Sequence, residues 1–283
     1  NNGNALFRTH NTLQGPGTVG KYAFASMGNE PLFLTADGVY GITTEELTGE
    51  KYGQLRSLYL TNALAAVEDL ADAAATVWRN FYLLATGGGT VYLLDGLQKE
   101  YSKDAPYSSF QYECYYLTGI DARVFWQDDE TLWFGTGDGR LCRFHSNVDD
   151  PASYNDDGEA ITAYWDTPDL SGQYFWHNKT FRYVAVRLAA AIVTGVQIFV
   201  QKRGLWSKLY DAGEKARYFD WSYLNFSKFV FSADRTPRTL GGKIKVKKVD
   251  KARFRFLNEA KDEPFGIYSI GFEFTEPGNR YKG

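Results

Sequence analysis

The chain has one methionine, two cysteines and three histidines among 283 residues, and each scarcity excludes a class of protein. Cys114 and Cys142 are too few for a disulfide framework, so we expect both to be free and buried. His10, His145 and His177 have no partners at the spacing of a zinc site. No apolar run approaches the roughly 18 residues of a transmembrane helix, so none is expected.

Enzyme motifs are also missing. The sequence has no nucleophile elbow, no P-loop and no dinucleotide fingerprint, and the glycines at 87–89 open a predicted strand and not a helix. Asp37 and Asp138 stand in predicted turns, where aspartate is common for backbone reasons. We therefore expect no catalytic residue, no bound cofactor and no enzymatic activity. Because the chain begins at Asn1 without an initiating methionine or a signal peptide, we expect a fragment of a longer protein.

An acidic, turn-rich segment at 147–158 is a candidate calcium-binding loop. Asn155, Asp157 and Gly158 fit an EF-hand loop, but Ser153 stands first and Tyr164 takes the place of the final glutamate. The pattern favours an exposed interdomain loop over a metal site.

Aromatic residues are abundant. Tyr, Phe and Trp make up 17% of the chain, hydrophobic residues 44%, and there are 28 glycines. Aromatic and β-branched side chains suit pleated, half-buried surfaces, and glycine suits tight turns. The composition predicts an all-β protein.

A hairpin repeats along the first half of the chain. The glycines that end its turns, Gly38, Gly89 and Gly139, are 51 and 50 residues apart. A strand-like run precedes each hairpin, at 19–24, 74–78 and 122–126. Three or four antiparallel strands in about 50 residues is the size of a β-propeller blade. We predict a partial β-propeller of at least three blades over residues 1–160, completed by upstream blades or by neighbouring segments.

The second half has a different pattern. The 50-residue period stops near Ile161, and eight strand candidates with glycine and proline turns follow, which predicts a β-sandwich or jelly-roll-like domain over residues 161–283. The candidates are Ala160–Trp165, Thr180–Leu188, Gly195–Lys202, Trp206–Tyr210, Lys228–Ser232, Lys243–Val249, Ala252–Leu257 and Ile267–Thr275.

Charge separates the two halves. Residues 1–165 carry a net charge of −12 and residues 166–283 a net charge of +9. Opposite charges could help copies dock or present one face to a polyanion, and two differently solvated surfaces explain them equally well.

Residues 243–256 form the sharpest basic feature. Strand alternation places Lys243, Lys245 and Lys247 on one face, with Ile244, Val246 and Lys248 on the other, and Arg253 and Arg255 alternate with Phe254 and Phe256. If the two strands were adjacent, these cations would form one basic strip. Such a strip could be a solvated face guarding an edge, could meet an acidic protein neighbour, or could contact nucleic acid.

Tyr174 and Trp176, with Phe175 between them, are candidate loop contacts. Aromatic side chains of this kind could stack on sugar rings, or they could equally belong to the core.

Several segments resemble propeller-bearing virion proteins of tailed bacteriophages. They are 30–43, 47–52 with Arg56 and Ser57, 91–96, 132–136, 157–168, 254–256, 263–274 and 280–283, so the resemblance covers most of the chain. It implies a tail or head-to-tail protein, such as a tail nozzle or tubular tail protein, assembled in rings around the DNA exit channel. Nozzle proteins are usually much larger, which again indicates a fragment.

The function predicted from these observations is that of a non-enzymatic structural protein of a phage or prophage particle. Its expected partners are other virion structural proteins, in an oligomer close to DNA and without a membrane. Its expected location is the virion, assembled in the cytoplasm of a bacterial host. The alternative is a carbohydrate-binding or carbohydrate-active β-propeller with an accessory β-sandwich.

Overall fold

The fold is all-β, as predicted, and it divides into two compact units. The computed structural model describes residues 15–44, 51–103, 108–145, 147–202, 204–213, 216–224, 226 and 230–278. Unit 1 ends at His145 and unit 2 begins at Ser146, whereas the sequence pattern places the boundary after residue 160. His10 and the C-terminal segment 280–283 lie outside the described residues.

The described residues of unit 1 form three antiparallel sheets, in which strands adjacent in sequence are also neighbours in space. Sheet 1 is β1 Phe24–Met27, β2 Glu30–Thr35, β3 Gly38–Thr44 and β4 Lys51–Leu55; sheet 2 is β5 Ala74–Trp78, β6 Phe81–Ala85, β7 Thr90–Tyr101 and β8 Phe110–Thr118; sheet 3 is β9 Ala122–Asp128, β10 Thr131–Thr136 and β11 Leu141–Arg143. A 3₁₀ turn at Leu58–Leu60 and the helix α1, Thr61–Ala65, connect the first two sheets.

The first hairpin turn of each sheet is built in the same way. A two-residue turn joins the strands, and its first residue, Gly28, Arg79 or Asp129, has a φ of 62°, 54° or 53°. The second hairpin varies more. In sheet 3, the residues Gly137, Asp138 and Gly139 suit a two-residue turn and predict one. Five residues separate the paired Gly135 and Leu141, so this prediction is wrong.

The three sheets pack face to face in chain order. One apolar cluster fills the space between sheets 1 and 2, and another fills the space between sheets 2 and 3. A parallel bridge from Tyr22 to Ala74 places the start of β1 beside β5. This stacking of meander sheets is the arrangement found between propeller blades. A closed propeller ring stays a prediction.

Unit 2 is a sandwich of two main sheets. Its strands are β12 Asn155–Asp156, β13 Glu159–Ala160, β14 Ala163–Asp166, β15 Lys179–Leu188, β16 Val193–Thr194, β17 Gln197–Lys202, β18 Leu205–Asp211, β19 Ala216–Arg217, β20 Arg238–Val249, β21 Arg253–Asn258 and β22 Ile267–Thr275. One main sheet has the order β14-β21-β17-β18 and the other the order β20-β15-β22; β12 pairs with β13, and β16 with β19.

Alternating side chains of both main sheets form the sandwich core. Val184 and Val186 of β15 face Ile198 of β17 and Phe254 and Phe256 of β21, and all five are buried. Seven of the eight strand candidates overlap observed strands. The exception is Lys228–Ser232: its first two residues lie outside the described residues, and positions 230–232 are not in a strand.

Candidate functional site

The sequence candidates Tyr174 and Trp176 lie together on an exposed turn at residues 174–177, called here the aromatic turn. Their ring centroids are 5.5 Å apart in an edge-on arrangement, and Phe175 meets Trp176 at 5.0 Å. The amide of His177 donates to the carbonyl of Tyr174, which closes the turn. Tyr174 and Trp176 are exposed and do not belong to the core.

A buried lysine holds this turn in place. Lys179 is fully buried, and its Nζ donates to the carbonyl oxygens of Tyr174 at 2.7 Å and His177 at 3.0 Å. The Glu276 carboxylate lies 3.4 Å from the same ammonium and 3.8 Å from Nδ1 of His177. A buried ammonium is tolerated only when it is paired and hydrogen-bonded, so these contacts fix the turn to the sandwich.

The sequence pattern did not identify Lys179, although a signal is present. Lys179 precedes Phe181 by two residues, so strand alternation places both on the same, inward face. A lysine at an inward position of a strand predicts a buried ammonium group that needs hydrogen-bond partners.

The lysine half of the predicted basic strip is present. Lys243, Lys245 and Lys247 are exposed on β20, and Ile244 and Val246 between them are buried. Among the described residues, none forms an ion pair with these three lysines. They form an outward row of positive charge on one main sheet.

The alternation ends after Lys247. Lys248 was expected on the inward face with Ile244 and Val246, but it is exposed and has a φ of 52°. The left-handed backbone at Lys248 turns its side chain out of the alternating pattern.

The arginine half of the strip lies elsewhere. Strand β21 is in the four-stranded sheet and β20 in the three-stranded sheet, so the expectation that the two strands are adjacent is wrong. The chain between Val249 and Arg253 crosses from one sheet of the sandwich to the other and does not form a hairpin. Arg253 and Arg255 therefore do not extend the lysine row.

Arg255 is already engaged. Its guanidinium binds the Asp166 carboxylate through two bonds of 2.7 and 2.8 Å and lies over the rings of Tyr164 and Trp206. Arg253 lies 3.9 Å from Asp169. Bidentate pairing across neighbouring strands is a structural use of arginine.

Asp37 and Asp138, the two aspartates of the predicted turns, each form hydrogen bonds within their own turn. The amide of Asp37 donates to Thr35, and Asp138 accepts from Thr136 and from Arg140 in its own turn. The hydrogen bond from Thr136 is the main cause that lowers the pKa of Asp138 below its usual value. These contacts agree with a turn-forming role for both residues.

The acidic segment at 147–158 is likewise held by its own hydrogen bonds. Asp150 accepts from the amide of Ala152, and Asn155 accepts from the amide of Gly158. Across the described ranges, no cluster of three or more His, Cys, Asp or Glu residues is arranged to hold a metal ion. In the same part of the chain, no helix is long and apolar enough to cross a membrane.

Both cysteines are free, as expected, but they are half-buried and not fully buried. Burial raises the pKa of the Cys114 thiol to about 12, so this thiol stays protonated at neutral pH. A protonated thiol is a poor nucleophile.

Unit 1 contains a buried polar network that the sequence pattern did not indicate. Arg56 is 1% exposed, and its Nε donates to Glu30 at 2.7 Å. Another guanidinium nitrogen donates to the carbonyl oxygens of Ser108 and Phe110, and the hydroxyl of Tyr112 donates to Glu30 at 2.6 Å. The network connects β2, β8 and the residue that follows β4, and it is mostly buried, with the Glu30 side chain 15% exposed. We therefore assign it a structural role.

The last feature is the outer side of sheet 3. Val124, Trp126 and Leu141 are 59%, 57% and 65% exposed there, and Trp133 is half-buried beside Trp126 at a ring distance of 6.2 Å. These four residues are called here the open face. Apolar side chains of this size on a regular strand surface are typical of contact sites.

Comparisons with known proteins give no family. No protein-family model matches the chain, and no curated protein matches its sequence. Two solved structures of an exo-β-1,3-galactanase from Phanerochaete chrysosporium, one with β-1,3-galactotriose and one with galactose, are similar at 9% and 10% identity. The matches cover 86% and 84% of this chain and 78% and 76% of those chains, with TM-scores of 0.21 and 0.18. At such scores the similarity carries no argument about fold or activity.

Proposed function

We propose that the chain is a non-enzymatic structural component of a tailed phage or prophage particle, acting in the tail or at the head-to-tail junction by binding other virion proteins. One observation carries the binding role. Each unit presents a large exposed tryptophan on well-fixed backbone, Trp126 on β9 and Trp176 on the aromatic turn. Tryptophan and tyrosine dominate the energetic centres of protein interfaces.

The resemblance of segments in both halves to phage virion proteins supports the particle as the setting. Rigid sheets hold the two tryptophan sites, and rigid presentation reduces the entropy lost on binding. The lysine row on β20 adds a cationic surface for acidic neighbours or for the phosphates of DNA.

The test is the composition of the particle. Phage or induced prophage particles from a strain that encodes the chain are purified on a density gradient and analysed by mass spectrometry and immunogold labelling. We expect peptides from both units in the particle fraction and label at the tail or neck. Consistent absence from purified particles, with the chain present in the lysate, would reject the proposal.

The aromatic turn favours a second candidate, carbohydrate binding. Three aromatic side chains on a fixed exposed turn are suited to stacking on sugar rings. Saturable binding to an oligosaccharide array that is lost in Trp176→Ala and kept in Trp221→Ala would favour this function. Trp221 is a suitable control because it is exposed in the same unit and outside the aromatic turn.

A further inference from the structure

The repeat in unit 1 defines two faces for every sheet. Leu32, Leu83 and Trp133 are each the third residue after the first turn of their sheet, so they occupy equivalent positions. Val39, Val91 and Leu141 are equivalent in the next strand, because each pairs with the fifth residue after that turn. Paired residues share a face of the sheet, so both sets lie on the same face. We call the face that carries these positions the rear face. The opposite face, which carries Phe24, Ala75 and Phe125 at equivalent positions, is the front face.

The stacking follows one rule in both observed interfaces. The rear face of sheet 1, with Leu32, packs against the front face of sheet 2, with Tyr82 and Leu84. The rear face of sheet 2, with Leu83, packs against the front face of sheet 3, with Phe134. Each rear face is therefore covered by the front face of the next sheet.

Sheet 3 breaks this rule because its rear face is the open face. Val39 and Val91 are both 0% exposed, but the equivalent Leu141 is 65% exposed. Leu32 and Leu83 are buried, but the equivalent Trp133 is only half-buried. These equivalent positions are apolar in all three sheets, yet among the described residues only the rear faces of sheets 1 and 2 are covered by another sheet.

The front face of sheet 1 is the other face that lacks a covering sheet among the described residues. Phe24 on that face is exposed. Pro31 on the same face is half-buried, whereas the equivalent Tyr82 and Leu132 of sheets 2 and 3 are fully buried. Phe33, which pairs with Phe24 on this face, is 8% exposed, so the front face of sheet 1 is only partly uncovered. Within the described residues, the chain therefore has one uncovered rear face and one partly uncovered front face.

We propose that the open face of sheet 3 binds the front face of sheet 1 in a second copy of this chain. The contact continues the sheet-on-sheet interface that already occurs twice within unit 1, with the same faces in the same order. It is a head-to-tail contact, which produces a ring if the rotation closes and an open assembly if it does not. The inference deepens the proposed assembly function by naming a partner, and it rests on that function.

The test is self-association of the full chain, measured by sedimentation equilibrium over the micromolar range. We expect concentration-dependent oligomers. Trp126→Lys on the open face and Phe24→Lys on the front face should each raise the dissociation constant by about tenfold or more. Trp221→Lys is the matched control, since Trp221 is an exposed tryptophan of unit 2, and it should leave the constant unchanged.

A mixture of the two variants distinguishes a head-to-tail contact from a two-fold symmetric contact. The Phe24→Lys chain keeps an intact open face and the Trp126→Lys chain keeps an intact front face, so a mixture should form heterodimers but nothing larger. A two-fold symmetric contact through the open face would give no such rescue and would overturn the proposal. A wild-type chain that stays monomeric, or association that survives Trp126→Lys, would also overturn it.

The two proposals fail separately. A monomeric chain that is present in purified particles removes the self-association and leaves the virion role intact. A self-associating chain that is absent from particles removes the virion role. Circular dichroism of each variant confirms that the fold is kept, as expected for changes at exposed positions.

Discussion

Arg56 shows how one residue can order a whole sheet interface. Its guanidinium lies in the core with Glu30 on β2 and the ring of Phe110 at 3.7 Å, and it binds the backbone where β8 begins. A single residue therefore ties sheet 1 to the last strand of sheet 2. An apolar residue at this position could fill the space but could not satisfy the carbonyl groups around it.

Replacing Arg56 should be costly. Arg56→Met leaves the Glu30 carboxylate without its cation in a mostly buried site, and we expect the free energy of unfolding to fall by about 3 to 5 kcal/mol. Urea denaturation measures the change. Arg140→Met is the control, because its pair with Asp138 is exposed and screened by solvent, so its loss should change the urea midpoint little. Equal costs for the two variants would contradict a stabilising role for the buried network.

Two tyrosines make unit 1 sensitive to alkaline pH. Burial raises the pKa of Tyr82 and of Tyr112, and the hydrogen bond to Glu30 raises the pKa of Tyr112 further. The unfolded chain releases these protons at a lower pH than the folded chain. Their contribution to stability is therefore fully present below the ordinary pKa of about 10 and is lost as the pH rises above it.

Tyr82→Phe should reduce this pH dependence. Between neutral pH and about pH 11, the free energy of unfolding of the variant should fall less steeply than that of the wild-type chain, since the Tyr82 proton no longer contributes. Urea midpoints at a series of pH values give the slope. Tyr268→Phe, at an exposed position in unit 2, should keep the wild-type slope. Identical slopes for all three chains would argue against burial of the Tyr82 phenol.

At the scale of elements, the aromatic turn depends on the strand behind it. Gly172, with a φ of 62°, lets the chain pass close over the Lys179 side chain: a Cβ atom there would lie 2.9 Å from Cε of Lys179. Lys179 of β15 therefore fixes the position of the aromatic turn. Its shape should persist whether or not a ligand is bound.

Lys179→Met should loosen the turn. The methionine keeps the apolar stem, but it leaves the carbonyl groups of Tyr174 and His177 without their donor and the Glu276 carboxylate without its cation. We expect faster hydrogen exchange at the His177 amide and a loss of about 1 to 3 kcal/mol in stability. Lys251→Met, at an exposed ion pair with Asp169, should change neither quantity. Unchanged exchange in Lys179→Met would mean that the turn is held by its own hydrogen bonds.

Elements formed by local pairing could be predicted from the sequence, and pairings between distant strands could not. The hairpins around Gly38, Gly89 and Gly139 follow from alternation and turn residues within about 15 positions. The partners of β20 and β21 depend on strands far away: β15 for the first, and β14 with β17 for the second. Strand alternation correctly predicts which face of its strand carries Lys243 and which carries Arg253. Alternation contains no information on strand pairing, so it does not predict that the two strands belong to different sheets.

At the scale of the molecule, unit 2 has its own core and should fold alone. Its boundary can be tested with two fragments, 146–283 and 161–283. The longer one keeps the bond from Asn155 to Asp262 at 2.7 Å and the bond from the Asp262 amide to the carbonyl of Tyr154. We expect both fragments to unfold cooperatively, with 161–283 less stable by about 1 to 2 kcal/mol. Equal urea midpoints would favour the boundary near residue 160.

The repeated pair of faces in unit 1 has an evolutionary consequence. Because both observed interfaces join a rear face to the front face of the next sheet, duplication of one 50-residue segment would lengthen the stack by a contact of the same kind. Deletion of one segment would join faces that already match. We therefore expect that the number of sheets can change by unequal recombination without a new type of contact between sheets.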